Sequence, residues 1–128
     1  MLLIEGTFWP LVVVGAISDA GSADVVMTVD EHRLWSSDAL RLAFVVPGSG
    51  RHAKERQKEL FNWLLRHRRV LCQRTVCVAF VIEDDTLRTC AETWLELAGA
   101  RLCRGEVHTF RTLKPALSWL CGLMGAER

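Results

Sequence analysis

The segment Pro47-Gly48-Ser49-Gly50-Arg51 stands directly ahead of a helical pattern, and it is the stretch of this 128-residue chain best suited to hold an anion. Open amides at a helix N-terminus and the helix dipole attract negative charge, Ser49 offers a hydroxyl, and Arg51 adds a cation. Gly48, Ser49, Gly50 and Arg51 are therefore the candidate anion or phosphorylation site. The segment lacks the G-K-[ST] ending of a phosphate-binding loop, and a turn with Ser49 as N-cap accounts for the same residues. A second candidate is Glu83-Asp84-Asp85, which closes an apolar run. Paired carboxylates can do acid/base work or hold a divalent cation. They can equally cap the helix that follows.

The remaining chemical residues are scattered. His32, His52, His67 and His108 share no H-x-x-x-H spacing and stand in no Ser-His-Asp order. Cys72, Cys77, Cys90, Cys103 and Cys121 form no C-x-x-C pair and leave an odd one out. That pattern reads as buried apolar thiols in a reducing cytoplasm, with neither a disulfide framework nor a zinc site. Cys72, close to Arg68 and Arg69, is the thiol best placed to react. No catalytic residue, metal or cofactor is assigned.

Charge is the stronger signal. The formal net charge is +1, yet residues 51–74 carry eight basic residues against Glu55 and Glu59, a net of +6, which leaves −5 for the rest. Lys54, Lys58, Arg66, Arg68 and Arg69 define a candidate interaction surface for a protein partner with an acidic surface, or for self-association as a homodimer. A solvated face is the simpler reading. A near-neutral whole, with few aromatics beside the charges, argues against nucleic acid.

These residues need elements to position them. The size suits one domain over 1–128, and the longest apolar run, Leu11–Ile17, is too short to span a bilayer. Neither a basic start nor an A-x-A cleavage site marks a signal peptide. Leu2–Glu5 and Phe8–Ile17 read as strands around a Gly6-Thr7 turn, and Gly21-Ser22 as another turn. Leu40–Val46, Val76–Ile82 and Val107–Phe110 read as further strands. Helical spacing covers 51–71, 86–98 with Gly99 as its stop, and 112–124 with Pro115 in the first turn. Residues 23–35 place Val25, Val26, Val29 and His32 on one helical face, although valines favour strands. The order β-β-α-β-α-β-α-β-α implies an α/β domain with a mostly parallel sheet, an N-terminal hairpin at or near one edge, and about four helices.

Three segments carry a family resemblance. Met1-Leu2-Leu3-Ile4 resembles an opening hairpin, Thr75–Ile82 a central strand leading into a helix, and Phe110-x5-Ala116-Leu117-x-Trp119-Leu120 a closing strand and helix, all as found in SpoIIAA-like domains, relatives of the STAS domains. The resemblance implies a bacterial-type regulatory or binding module, with Ser49 near the place of the STAS phosphorylatable serine but without its preceding Asp. It also implies a well-packed terminal helix around Trp119. The function expected is a non-enzymatic regulatory or scaffolding module acting through protein–protein contact, with carriage of a lipid or other apolar small molecule as the alternative. A small hydrolase or transferase using Ser49 or a cysteine ranks third.

Overall fold

The computed structural model describes residues 2–16, 25–36, 39–97 and 102–126. Along the chain run β1 (Leu2–Phe8), β2 (Leu11–Ala16), β3 (Val25–Met27), α1 (Glu31–Ser36), β4 (Leu40–Val46), α2 (Gly50–Arg66), α3 (Arg68–Arg74), β5 (Thr75–Ile82), α4 (Asp85–Leu97), β6 (Val107–Phe110) and α5 (Leu113–Ala126). The six strands form one mixed sheet in the order β3-β1-β2-β4-β5-β6. Only the β1–β2 hairpin is antiparallel; β1 with β3, β2 with β4, β4 with β5 and β5 with β6 pair in parallel. The α/β class, the hairpin and the largely parallel centre are those expected. Among the described residues, no helix is long and apolar enough to cross a membrane.

Alternation along the central strands sorts the core into two layers. Leu42, Phe44 and Val46 of β4 and Val78, Phe80 and Ile82 of β5 face a large cluster shared with Leu34, Leu60, Trp63, Leu64, Leu71 and Ala91. That layer lies under α1 to α4. Ala43, Cys77, Ala79 and Val81 face the other way, against Ala116 and Leu120 of α5. The second layer also holds a fully buried arginine, Arg41, whose Nη1 lies 3.7 Å from Cys77 Sγ.

Three local expectations are corrected. The hairpin turns at Trp9-Pro10, where Phe8 pairs with Leu11, and Gly6-Thr7 instead forms a bulge in β1. Proline cannot donate to a ladder, so the strand breaks at Pro10. Gly6 is needed at the bulge because a Cβ there would stand 2.8 Å from Val29 Cβ. In the 23–35 segment, the expected helix is a strand and a shorter helix. Val25–Met27 adds to the edge of β1, Thr28 N donates to Ile4 O at 2.8 Å, and Asp30 Oδ1 then accepts from His32 N at 3.0 Å to begin α1. Leu34, not His32, is its buried residue. The helix expected over 51–71 is two helices, because His67 leaves helical geometry at φ −105° and ψ 14°. Its ring stacks on Trp35 and packs on Trp63, each at 4.8 Å, and burial with the neighbouring Arg66 lowers its pKa. The expected turn at Gly21-Ser22, the strand end at Ile17 and the helix stop at Gly99 lie outside the described residues.

The terminal helix corrects the role given to Trp119. Its ring is only half-buried, 5.8 Å from Phe110 and 4.7 Å from His108, whereas Ala116 and Leu120 are completely buried. Leu120→Ala should therefore cost about 3 kcal/mol through lost burial and a cavity, and Trp119→Ala about 1 kcal/mol. Urea titrations check the ranking; a Trp119→Ala loss larger than that of Leu120→Ala would show that the α5 interface is centred elsewhere.

Candidate functional site

The carboxyl ends of β2, β4, β5 and β6 share one edge of the sheet, the place where open α/β sheets usually hold ligands. Both sequence candidates meet there. Gly48 and Gly50 have φ of +81° and +76°, a left-handed conformation that glycine adopts at little cost, and this aims their amides across the edge. The Gly48 amide donates to Glu83 Oε2 at 2.8 Å, and the Gly50 amide to Asp84 Oδ2 at 3.3 Å. Two of the donors offered to an external anion are thus taken by the chain's own carboxylates. Ser49 occupies the N-cap position of α2 but makes no side-chain capping bond. Arg51 points into solvent, paired with Glu55 at 3.5 Å.

The three carboxylates of Glu83-Asp84-Asp85 diverge rather than converge. Besides Gly50, Asp84 accepts from Leu87 N at 3.0 Å, which caps α4. Asp85 accepts from Arg88 at 2.5 Å and from Arg111 at 3.1 Å. Backbone donors from Leu87 and Gly50 hold Asp84 below its ordinary pKa, and the Arg88 hydrogen bond with the Arg111 charge does the same for Asp85. Both carboxylates stay ionised around neutrality, the opposite of what a general acid needs. Arg88 Nη1 also donates to Ile82 O at 3.0 Å, and Arg56 Nη1 to Pro47 O at 3.3 Å. The edge is tied to itself. Among the described residues, no group of three His, Cys, Asp or Glu side chains could hold a metal ion.

The basic residues lie elsewhere. α2 buries Ala53, Gln57, Leu60, Trp63 and Leu64, and its opposite side exposes Lys54, Lys58 and Arg66. Arg68 and Arg69 are exposed too, and because the helix breaks at His67 they stand in the first turn of α3. Cations gain from a helix dipole only at its C-terminal end, so the dipole favours Arg66 in the last turn of α2 and gives Arg68 and Arg69 nothing. The structure brings Lys54, Lys58 and Arg66 to one side of α2; it does not bring them to Ser49's amide edge as a single pocket. All five cysteines are free thiols: Cys77 and Cys103 are buried, Cys72 is half-buried, and Cys90 and Cys121 are exposed. Burial raises the pKa of Cys103.

Two exposed leucines escaped the sequence reading. Leu65 is 47% exposed and Leu97 83% exposed, and Leu97 joins Thr89, Cys90, Thr93 and Trp94 around a shallow groove on α4. Leu65 falls outside the buried stripe of its own helix, which was the available signal. No family model, curated protein or solved structure matches the chain.

The Asp84 contacts carry a pH dependence. Its pKa is lowered on folding, so the stabilisation is fully present above the ordinary value of 3.8 and disappears as pH falls through the folded value. Asp84→Ala should lower Tm at neutral pH, and the difference from the parent should shrink in acid below that folded value. A Tm deficit of the same size in both conditions would show that the charge of Asp84 contributes nothing.

Proposed function

We propose that the chain is a non-enzymatic regulatory or scaffolding module of the SpoIIAA-like kind that works by protein–protein contact through the basic face of α2 and α3. The observation that carries this reading is the set of five exposed cations, Lys54, Lys58, Arg66, Arg68 and Arg69, none of which is ion-paired with a described carboxylate. Two of them lie where the helix dipole offers no reward. Charge so placed does little for the fold and is suited to steering an acidic surface into contact. The opening hairpin, the parallel centre and the closing β6–α5 unit support the SpoIIAA-like kinship, and five free thiols suit a cytoplasmic setting. The self-bonded carboxyl edge supports a binding role over a catalytic one. The partner is an acidic protein surface, which a second copy of the chain could also supply.

Changing Lys54, Lys58 and Arg66 together to Glu should leave the fold intact, since exposed substitutions usually shift stability by about 0.5 kcal/mol or less each. It should abolish association seen by pull-down and sedimentation at low salt, and moderate salt should weaken the same association in the parent. Retention of every partner and of the oligomeric state by the triple variant would reduce the basic face to a solvated surface.

A further inference from the structure

The outer surface between α2 and α4 combines features that neither helix has alone. Phe61 of α2 and Trp94 of α4 stack at 5.1 Å with 25° between their planes, and Phe61 also meets Phe80 of the sheet edge-on at 5.8 Å. An aromatic floor rooted in the core therefore joins the two helices. Gln57 Nε2 donates to Leu87 O at 3.3 Å and fixes their spacing. Residues three and four apart share a helix flank. Lys58 and Leu65 accordingly stand on the same side of α2 as Phe61, with Lys54 one turn before Lys58, while Cys90 and Leu97 flank Trp94 on α4.

The shallow groove on α4, lined by Thr89, Cys90, Thr93, Trp94 and Leu97, is thus joined through the Phe61–Trp94 stack to the flank of α2 that carries Lys54, Lys58 and Leu65. On the α4 side the Thr89 hydroxyl donates to Asp85 O at 2.9 Å and the Thr93 hydroxyl to Thr89 O at 3.0 Å, so both are tied to their own helix. Glu92 is turned toward β6, accepting from Thr109 Oγ1 at 2.7 Å. The residues lining the groove carry no charge and end in Leu97, while Glu96 is exposed beside them on the same helix. The adjoining flank of α2 is cationic through the exposed Lys54 and Lys58 and ends in Leu65.

Resting on the reading of α2 as the contact face, we infer that this groove is a docking site for an acidic amphipathic helix of a protein partner. The charge of the α2 flank selects the occupant: an apolar stripe covers Phe61, Trp94, Leu65 and Leu97, and carboxylates along one flank meet Lys54 and Lys58. The stretch of α2 from Lys54 to Leu65, 12 residues, spans about 18 Å at about 1.5 Å per residue, which accommodates about three turns of a docked helix. A groove open along its length suits a helix better than a lipid, since small-molecule sites enclose most of their ligand.

The probe is a fluorescein-labelled helical peptide of about sixteen residues, four turns, with leucines at i, i+4, i+7 and i+11, glutamates along one flank of that stripe and alanine or glutamine elsewhere, titrated into the full chain by anisotropy. A twin with lysine for each glutamate, and sodium oleate as a competitor, complete the set. The glutamate peptide should bind, and Leu97→Asp or the Lys54→Glu/Lys58→Glu pair should each weaken it at least tenfold, with thermal melts confirming that both variants fold. The lysine twin should bind at least tenfold more weakly than the glutamate peptide. Absence of binding, or equal binding of both peptides, overturns the proposal. One-to-one binding of oleate in place of the peptide overturns it in favour of an apolar-ligand carrier. If the peptide fails while the Lys54, Lys58 and Arg66 reversal still abolishes partner contact, the groove is lost and the basic-face reading stands; if that reversal leaves both peptide and partner bound, both fall.

Discussion

Strands β4 and β5 are covered on both faces, so their backbone groups must bond within the sheet and their side chains must suit two different neighbours at once. The register Leu42↔Val78, Phe44↔Phe80 and Val46↔Ile82 puts the large residues on one face, and Ala43↔Ala79 puts the smallest on the other. Phe44 and Phe80 stack at 5.2 Å beneath α2. The small face lets α5 come down close with Ala116 and Leu120. This division of bulk sets where each helix lies, and from it follow the position of the carboxyl edge, the outward side of α2 and the aromatic link to α4.

The pair was readable from sequence because a strand buried on both faces is written as an unbroken apolar run. β4 has the bounds read from the sequence, and β5, β6 and the last two helices lie within about two residues of them. What was not readable depends on partners distant in the chain. Val25–Met27 becomes a strand only because β1 offers an edge. His67 breaks its helix where two tryptophans meet its ring, and Arg41 sits in an apolar run with no local mark of its burial. The glycine turn before α2 was correctly placed. That Glu83 and Asp84 would occupy its amides was hidden, because 35 and 34 residues separate those partners.

The two charged regions are used in opposite ways. At the carboxyl edge, acids and bases satisfy one another and the loop amides, an arrangement that joins the β4–α2 turn to the β5–α4 turn and leaves the local field nearly balanced. Along α2 and α3, Lys54, Lys58, Arg66, Arg68 and Arg69 are left to water, where exposed charges cost the fold little. Electrostatic strength is thus spent internally at the rim and kept in reserve on the helical face.

The uneven cover of the sheet has a dynamic consequence. Four helices share the larger cluster, whereas among the described residues α5 is the one helix on the other face, with Ala116 and Leu120 fully buried and Leu117 and Trp119 half-buried against it, beside an outer side carrying Leu113, Lys114 and Ser118. A single helix holding one face can open as its own cooperative unit at a lower free energy than global unfolding. Each such excursion uncovers Cys77 while the aromatic layer stays packed. The alkylation rate of that thiol in the native protein is therefore a clock for the detachment of α5.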